Sequence, residues 1–476
     1  MAKLTEVSVL PLDPERFESV VSPDQFAEFI EAIVRALEIL DGRIVWNVNS
    51  TARGGGVAEM LKSLLAYAQG GGVDARWMVI EGVLDFFKIT KRIHNHLHGS
   101  PGDGGHLGDE ERVVYEQVLQ DNAAELTKLI SADDVVILHD PQTAGLASAV
   151  KDRGAHVIWR CHVGLDKPEK LARNAWAWLT PYVERADAYV FSRKGFVWES
   201  LDSAKIALIP PSIDAFSAKN QELEPSVVDA ILAASALVND GAVGRPEYVC
   251  HDGTKCTVEA RAVVVEEAPL TPEQRFVAQV SRWDRLKDPV GVITGFADHV
   301  APKSNAHLLV AGPAVEAVTD DPEGAEVLDE CTQVWKSLPS EVRSKIHLAC
   351  LPMDDLEENA AIVNALQRKA VVVVQKSLAE GFGLTVAEAM WKARPVVASR
   401  IGGIQDQVVD GVTGYLIDPT DLTAYGEAVC RLLDDEQRAR QMGMEAQRRV
   451  RDEFLGPRHL MQYVDLIDRL LDPERR

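Results

Sequence analysis

The sequence contains no long hydrophobic run and too little basic charge to balance its acids. No apolar stretch approaches the length of a membrane span, so the sequence predicts a protein with no membrane partner. The amino terminus lacks the basic-then-apolar pattern of a secretory signal. With 50 Lys and Arg against 73 Asp and Glu, the net charge of −23 disfavours a nucleic-acid partner, whose phosphates need a basic surface. It leaves anionic small molecules open, because local Arg and Lys can override the global sign.

Cysteines are few and form no disulfide framework. We interpret this scatter as the mark of a reducing, cytoplasmic compartment. Cys250 and Cys256 flank Asp252-Gly253, a hairpin signal between two alternating segments. A disulfide or a metal clip is an alternative at this hairpin, but the compartment favours two reduced cysteines. The six positions are Cys161, Cys250, Cys256, Cys331, Cys350 and Cys430.

The pattern that is present is an alternation of short apolar runs with helical segments, which predicts an α/β protein. At 476 residues the chain is too long for one ordinary core, so we expect two doubly wound domains. We predict strands at Arg43–Val48, Arg76–Glu81, Asp134–Leu138, Val157–Arg160, Ala188–Ser192, Ile206–Ile209, Phe276–Val280, His307–Pro313, Lys345–Pro352, Val371–Val374 and Pro395–Ser399. We predict one early helix, Pro23–Leu40, and two final helices, Leu422–Arg451 and Pro457–Leu471.

The strongest candidate site lies between residues 371 and 403, where a strand of valines leads through a glycine-containing loop into a helix. Glu380 and Glu388 lie eight residues apart in this unit. A helix N-terminus attracts phosphate, and a carboxylate beside it suits sugar hydroxyls. Ordinary surface acids on a strand–helix unit are the alternative interpretation. The loop and helix start comprise Gly381, Phe382, Gly383, Leu384 and Thr385.

Two cations follow another predicted strand, Phe276–Val280. Ser281 and Arg282 follow the end of that strand, and Lys287 comes five residues after Arg282. A diphosphate suits such a pair, because Arg gives bidentate contacts and Lys a point charge.

The first half places polar groups at the ends of its own strands, where a doubly wound sheet binds ligands. Gly54, Gly55 and Gly56 follow the strand at Arg43–Val48 and could close on a phosphate or a sugar, although a tight turn would use the same residues. His139 and Asp140 follow one later strand, and His162 follows another. Lys88 is a candidate for contact with a polar substrate, against a solvated helix face as the alternative. The histidines of the segment around Lys88 lack matching acidic or cysteine ligands, so we predict no metal site there. They are His94, His96, His98 and His106.

These motifs, in this order, resemble the retaining GT-B glycosyltransferases of family four. The carboxyl-terminal half carries SRWDRLKDP, VAGP, the Glu380-to-Glu388 spacing and PVVASRIGGIQDQVVDGVTGYLIDP. In the amino-terminal half, VNSTARGGGVAEML, FFKITKRIHNHLHG, HDPQTAGL and WRCHVGLD resemble trehalose synthases of the glycosyltransferring type. The chain departs from the family pattern at the Cys250–Cys256 hairpin and at WRCHVGLDKP, where an acid closer to the histidine is expected.

The resemblance implies two Rossmann-like domains with the active site in the cleft between them. Residues 1–213 would bind the acceptor, and residues 214–454 would bind the nucleotide-sugar. A hairpin at about 245–268 would be inserted in the second domain, and a final helix at about 455–476 would pack back on the first.

The resemblance also implies a role for each candidate residue. Arg282 and Lys287 would hold the donor diphosphate, and Glu380 would face the transferred glucose. His162 would lie near the donor sugar. Glu388 would bind the ribose hydroxyls. The remaining donor contacts would come from Gly56, Leu351, Gly381, Phe382, Gly383, Leu384 and Thr385. The acceptor would be bound by Gly54, Gly55, Lys88, His139 and Asp140.

The implied reaction moves glucose from a nucleoside-diphosphate-glucose to free glucose and forms trehalose reversibly. The nucleotide-sugar is a substrate, and neither a cofactor nor a metal is expected. The alternatives are a retaining trehalose phosphorylase, a family-four transferase with another sugar acceptor, and a sugar-nucleotide-binding sensor. The motifs do not distinguish UDP, ADP and GDP as the nucleotide. A homodimer is the candidate assembly.

Overall fold

The computed structural model describes residues 4–52, 55–239, 244–315 and 322–472. The strands are β1 Thr5–Glu6, β2 Val45–Asn49, β3 Ala75–Val79, β4 Val135–His139, β5 His156–Cys161, β6 Ala188–Phe191, β7 Ile206–Leu208, β8 Glu247–Val249, β9 Lys255–Thr257, β10 Val263–Val265, β11 Phe276–Val280, β12 His307–Pro313, β13 Ile346–Leu351, β14 Val372–Gln375, β15 Val396–Ser399 and β16 Gly414–Ile417. The helices are α1 Pro23–Ile39, α2 Gly56–Gly70, α3 Leu84–Leu97, α4 Asp109–Leu129, α5 Asp140–Thr143, α6 Ala147–Asp152, α7 Lys170–Val183, α8 Pro225–Ala234, α9 Pro289–His299, α10 Pro322–Ser337, α11 Ser340–Arg343, α12 Leu356–Lys369, α13 Leu384–Trp391, α14 Ile404–Gln407, α15 Leu422–Asp434, α16 Glu436–Glu453 and α17 Gly456–Leu471. Short 3₁₀ turns cover Pro14–Ser19, Ala144–Leu146, Lys194–Phe196, Ser203–Lys205 and Arg285–Lys287.

The chain divides into two compact units. The first unit comprises Met1–Ser212 and Phe454–Arg476, and the second comprises Ile213–Glu453. Each unit has its own seven-stranded sheet and its own buried apolar cluster. The α/β prediction with two doubly wound sheets is therefore confirmed.

The first sheet has the strand order β1-β3-β2-β4-β5-β6-β7. Among the described strands of this sheet, β1 alone runs antiparallel to its neighbour. Every residue of β2 and β4 is buried, as expected for parallel strands covered by helices on both faces. The strand order reverses between β2 and β4, and the carboxyl edge at such a switch point is where doubly wound sheets bind ligands.

The second sheet has the strand order β10-β13-β12-β11-β14-β15-β16, with β10 antiparallel at its edge. Its six parallel strands follow the 3-2-1-4-5-6 order of dinucleotide-binding folds. The switch point lies between β11 and β14, which pair through Val277 with Val372 and Ala278 with Val373. The loops that carry Arg282, Lys287 and Glu380 therefore leave the sheet from two adjacent strands.

The final helix, α17, packs against the first unit. Leu466 and Ile467 on α17 are buried in a cluster with Val45 and Val135. Near its start, His459 Nδ1 lies 2.8 Å from the Ser212 hydroxyl oxygen.

The segment before α17 differs from the sequence prediction. A single helix over Leu422–Arg451 is wrong, because the segment forms two helices, α15 and α16, that separate at Asp435. Asp435 has non-helical backbone angles, φ −122° and ψ +85°, and its carboxylate accepts a hydrogen bond from the amide of Arg438 at 2.9 Å. It therefore caps the start of α16. Within the described ranges, every helix is too short or too polar to cross a lipid bilayer.

The cysteine hairpin also differs from the prediction. Strands β8 and β9 pair antiparallel across the Asp252–Gly253 turn, and Cys250 and Cys256 form a disulfide. The prediction of two reduced cysteines is therefore wrong for this structure. The physical reason is that the turn brings the two Cα atoms to 6.2 Å, a separation that a disulfide spans. Cys161, Cys331, Cys350 and Cys430 are free thiols.

Candidate active site

The second unit brings Lys287 and Glu380 together at the switch point of its sheet. The Lys287 ammonium lies 2.5 Å from Glu380 Oε2, and both side chains are mostly buried. The Ser377 hydroxyl donates to the same carboxylate oxygen at 3.3 Å. Lys287 ends a 3₁₀ turn that begins where the Asp284 carboxylate accepts from the Leu286 amide at 2.7 Å. A mostly buried ammonium and a carboxylate, a group that accepts hydrogen bonds from sugar hydroxyls, therefore lie at the same end of the sheet.

Arg282 lies on the same loop but is directed towards solvent. Its side chain is 59% exposed and pairs with Asp284 at 3.2 Å. Its surface ion pair is weak, so an incoming anion can compete with Asp284 for the guanidinium.

The loop before α13 is held in place by close backbone packing. Gly402 has φ +45°, and a Cβ there would lie 1.8 Å from the Glu380 carbonyl oxygen. The Gly403 amide donates to the Gly381 carbonyl at 2.9 Å, and the Gln407 side-chain amide donates to the Phe382 carbonyl at 2.5 Å. The glycine-rich loop is therefore fixed by a second loop that follows β15.

Helix α13 begins directly after this loop and carries the remaining predicted donor contacts of the segment. Gly383 precedes the helix with φ +85°, a conformation that suits glycine. Leu384 is the first helical residue, and the Thr385 hydroxyl donates to Gln375 at 3.1 Å. The first backbone N–H groups of the helix can therefore contribute to anion binding.

Glu388 is almost completely buried on α13. Its carboxylate lies 3.6 Å from the ammonium of Lys219, so the buried acid has a partner of opposite charge. Leu351 is also buried, at the end of β13, and the carbonyl of the next residue, Pro352, accepts from Asn359 at 2.8 Å.

The first unit gathers His139, Asp140 and His162 at its own switch point. His139 ends β4, and its Nδ1 lies 3.1 Å from His162 Nε2, with the two rings stacked. Asn47 on β2 meets the other ring nitrogen of His139 at 3.1 Å. Asp140 has φ +62°, and its carboxylate accepts from the His162 amide at 2.7 Å. Asp140, which directly follows the neighbouring strand β4, thus supplies the acid that the sequence close to His162 lacks.

Burial shifts the pKa values of His139, Asp140 and His162. Burial, assisted by the nearby charge of Arg160, lowers the pKa of His139 to about 3 and that of His162 well below its usual value. Burial also raises the pKa of Asp140 to about 7, against the opposing effects of the His162 amide and Arg160. Both imidazoles are therefore neutral near pH 7, and Asp140 titrates there.

The other residues predicted in the first unit lie on other elements. Lys88 is exposed on α3 and pairs with Asp85 at 3.3 Å. Gly55 has φ +80° and precedes α2, whose first residue is Gly56. Gly54 lies outside the described residues. In the described part of the chain, no group of three or more His, Cys, Asp or Glu side chains could hold a metal ion.

Comparison with known proteins links both units to sugar transfer. Residues 47–198 match the family model described as trehalose synthase, N-terminal domain, and residues 265–449 match glycosyl transferases group 1. The chain is 33% identical to the trehalose synthase of Pyrococcus horikoshii, with 96% of each chain covered. The trehalose synthase of Rubrobacter xylanophilus is 34% identical, again with 96% of each chain covered. The chain belongs to the trehalose synthase family.

Other relatives match less of their own length or less of the sequence. The trehalose phosphorylase of Pleurotus pulmonarius is 25% identical over 85% of this chain but only 54% of its own. Among solved structures, an alpha,alpha-trehalose-phosphate synthase (UDP-forming) from Burkholderia xenovorans aligns with a TM-score of 0.65 at 14% identity, covering 90% of this chain and all of its own. The GT-B fold predicted for this member of the trehalose synthase family is confirmed.

Several charged residues of the two sites were not predicted from the sequence. Arg160 is fully buried, and its guanidinium donates to the Ile209 carbonyl at 2.6 Å. Lys376 is 1% exposed and pairs with Asp288. Arg160 and Lys376 could have been found from their positions, because a charged residue inside or directly after an apolar strand is expected to be buried and to need a partner. Lys219, which pairs with Glu388, follows no strand and gave no such signal.

Proposed function

We propose that this protein transfers glucose from a nucleoside-diphosphate-glucose to free glucose, with retention, and releases trehalose and the nucleoside diphosphate. The observation that carries the proposal is the meeting of Lys287 and Glu380 at the switch point of the second sheet. Family membership supports the choice of trehalose as product, because the relatives that match along nearly their whole length are named trehalose synthases.

The donor is bound by the second unit in this proposal. Arg282 and Lys287 hold the diphosphate, assisted by the first backbone N–H groups of α13. Glu388 binds the ribose hydroxyls, and Glu380 faces the transferred glucose. Donor binding gives Lys287 a phosphate partner in place of Glu380, so the carboxylate is released to accept from sugar hydroxyls.

The acceptor is bound by the first unit, through His139 and Asp140 at the switch point and through the backbone of Gly54 and Gly55 before α2. Asp140 accepts from an acceptor hydroxyl, and neutral His162 contacts the donor sugar through a ring nitrogen. Lys88 contributes at the edge of the acceptor site.

The transfer breaks the bond between the glucose anomeric carbon and the diphosphate oxygen. The acceptor hydroxyl oxygen forms its bond to that carbon on the same face, and its proton moves to the leaving phosphate oxygen. Negative charge grows on the diphosphate as the bond breaks, and Arg282 and Lys287 stabilise that charge more than they stabilise the ground state.

The decisive experiment assays UDP-, ADP- and GDP-glucose with free glucose, in parallel with trehalose plus inorganic phosphate. Trehalose formed only with a nucleotide donor supports the proposal and identifies the base. Glucose 1-phosphate formed from trehalose and phosphate would instead assign a phosphorylase. Turnover only with another sugar would show that this sugar, and not glucose, is the acceptor. Nucleotide binding without turnover on any sugar would indicate a sensor.

A further inference from the structure

Lys376 is one of the most deeply buried charged side chains of the second unit. It follows β14 directly, and only 1% of its side chain is exposed. Its ammonium pairs with the carboxylate of Asp288, whose side chain is 18% exposed. A buried ammonium needs a carboxylate partner, because desolvation otherwise disfavours its charge.

Asp288 is also constrained by its backbone. It has φ +50° and ψ +50°, in the left-handed region, and it caps α9 by accepting from the Gly291 amide at 3.0 Å. It is the next residue after Lys287. The orientation of Asp288 therefore fixes the direction in which the chain leaves Lys287.

Two further bonds hold the backbone of the Lys287 loop, one from the loop that carries Glu380 and one from β11. The Leu378 amide donates to the Leu286 carbonyl at 2.7 Å, and the Gln279 side chain donates to the Lys287 carbonyl at 2.9 Å. These bonds hold backbone groups, whereas the Lys376–Asp288 pair joins side chains. That pair connects the neighbour of Lys287 to the loop that carries Glu380.

We propose that Lys376 and Asp288 are positioning residues, whose buried ion pair holds Lys287 where it binds the donor diphosphate. The inference rests on the proposed function, since it requires Lys287 to contact that diphosphate. Neither residue needs to touch the substrate.

The variants can separate positioning from stability. Lys376→Met keeps most of the side-chain length and removes the charge. Asp288→Asn keeps a good helix cap and a residue that tolerates the left-handed backbone. The double variant leaves no uncompensated buried charge, so its stability should exceed that of either single variant. Lys369→Met is the control, because Lys369 pairs with Asp229 at 2.7 Å in the same unit and away from these loops.

The measurement is calorimetric binding of UDP, ADP and GDP, each compared with its nucleoside, to the full chain. We expect the double variant to bind the preferred diphosphate roughly tenfold to a hundredfold more weakly, the effect of a small misplacement of a binding group. Nucleoside binding and the control variant should match the wild type. In a Lys287→Ala background, Lys376→Met should cause no further loss of diphosphate affinity, since both changes remove the same contact between Lys287 and the diphosphate.

The outcomes distinguish this inference from the proposed function. If Lys287→Ala weakens diphosphate binding but the folded double variant does not, the positioning role is overturned and the proposed function stands. Equal losses for diphosphate and nucleoside would also overturn it, because they indicate general disruption. If the wild type binds no nucleoside diphosphate, or Lys287→Ala binds it normally, the proposed function and the inference both fail.

Discussion

Lys287 and Glu380 form an ion pair of 2.5 Å although they are 93 residues apart in the chain. Each is a residue that the proposed reaction assigns to a different part of the donor, the diphosphate and the glucose. Their pairing satisfies both charges before substrate binds and keeps the two side chains on the same end of the sheet.

Replacing Arg282 should impair catalysis without affecting folding. We expect Arg282→Ala to lower kcat by about 10²-fold, as removal of one donor to a developing oxyanion does. The melting temperature should stay unchanged, because the side chain is 59% exposed. Steady-state kinetics and thermal melts measure both quantities. Arg285→Ala is the matched control on the same loop, since Arg285 pairs with Glu323, Glu326 and Glu330 instead; an equal loss in both variants would refute the role of Arg282.

Replacing Glu388 should weaken recognition of the nucleoside itself. We expect Glu388→Gln to raise the donor KM and the nucleoside Kd about tenfold, as loss of a charged hydrogen-bond acceptor costs ~1.5 kcal/mol or more. The acceptor KM should not change. Donor titrations and nucleoside calorimetry test this, with Glu427→Gln as a control at an exposed helix position. Unchanged nucleoside affinity would remove Glu388 from the ribose site.

Asp140 should make stability depend on pH. Burial raises the pKa of Asp140 to about 7, so between about pH 4 and pH 7 the native state holds a proton that the unfolded state has lost. The bound proton stabilises the native state at low pH. That stabilisation falls by up to about 1.4 kcal/mol per pH unit and is lost as the pH rises through 7. Asp140→Asn cannot titrate, so the unfolding free energy of the wild type should fall relative to that of the variant across this window. Urea unfolding of both proteins at several pH values measures the difference, and a difference independent of pH would contradict the shifted pKa.

The disulfide should be detectable by counting thiols. Titration with a thiol reagent in denaturant should find the four free cysteines before reduction and all six residues afterwards. Cys250→Ser should lower the unfolding free energy of the second unit by about 2 kcal/mol, because the bond restricts a short loop in the unfolded chain. Cys430→Ser serves as the control at a free thiol. Six reactive thiols before reduction would show that the bond is absent.

The parallel sheets were predictable because their strands are buried on both faces. Such strands appear in the sequence as continuous apolar runs, as in the valines of β14 and the segment that forms β11. The break at Asp435 was not predicted, because one capping aspartate interrupts a helical pattern without proline or glycine. The disulfide was not predicted, because the scattered cysteines of the whole chain favour reduced thiols, whereas a two-strand hairpin decides the distance between Cys250 and Cys256.

The sequence by itself determined the two α/β halves, the family and the positions where charged residues follow strands, because these depend on local periodicity and motif spacing. Only the tertiary structure decided which charges meet. Lys376 finds Asp288, Glu388 finds Lys219, and His162 receives an acid from a neighbouring strand. The reason is that a buried charge is stable only beside a partner, and the identity of that partner depends on how distant segments pack.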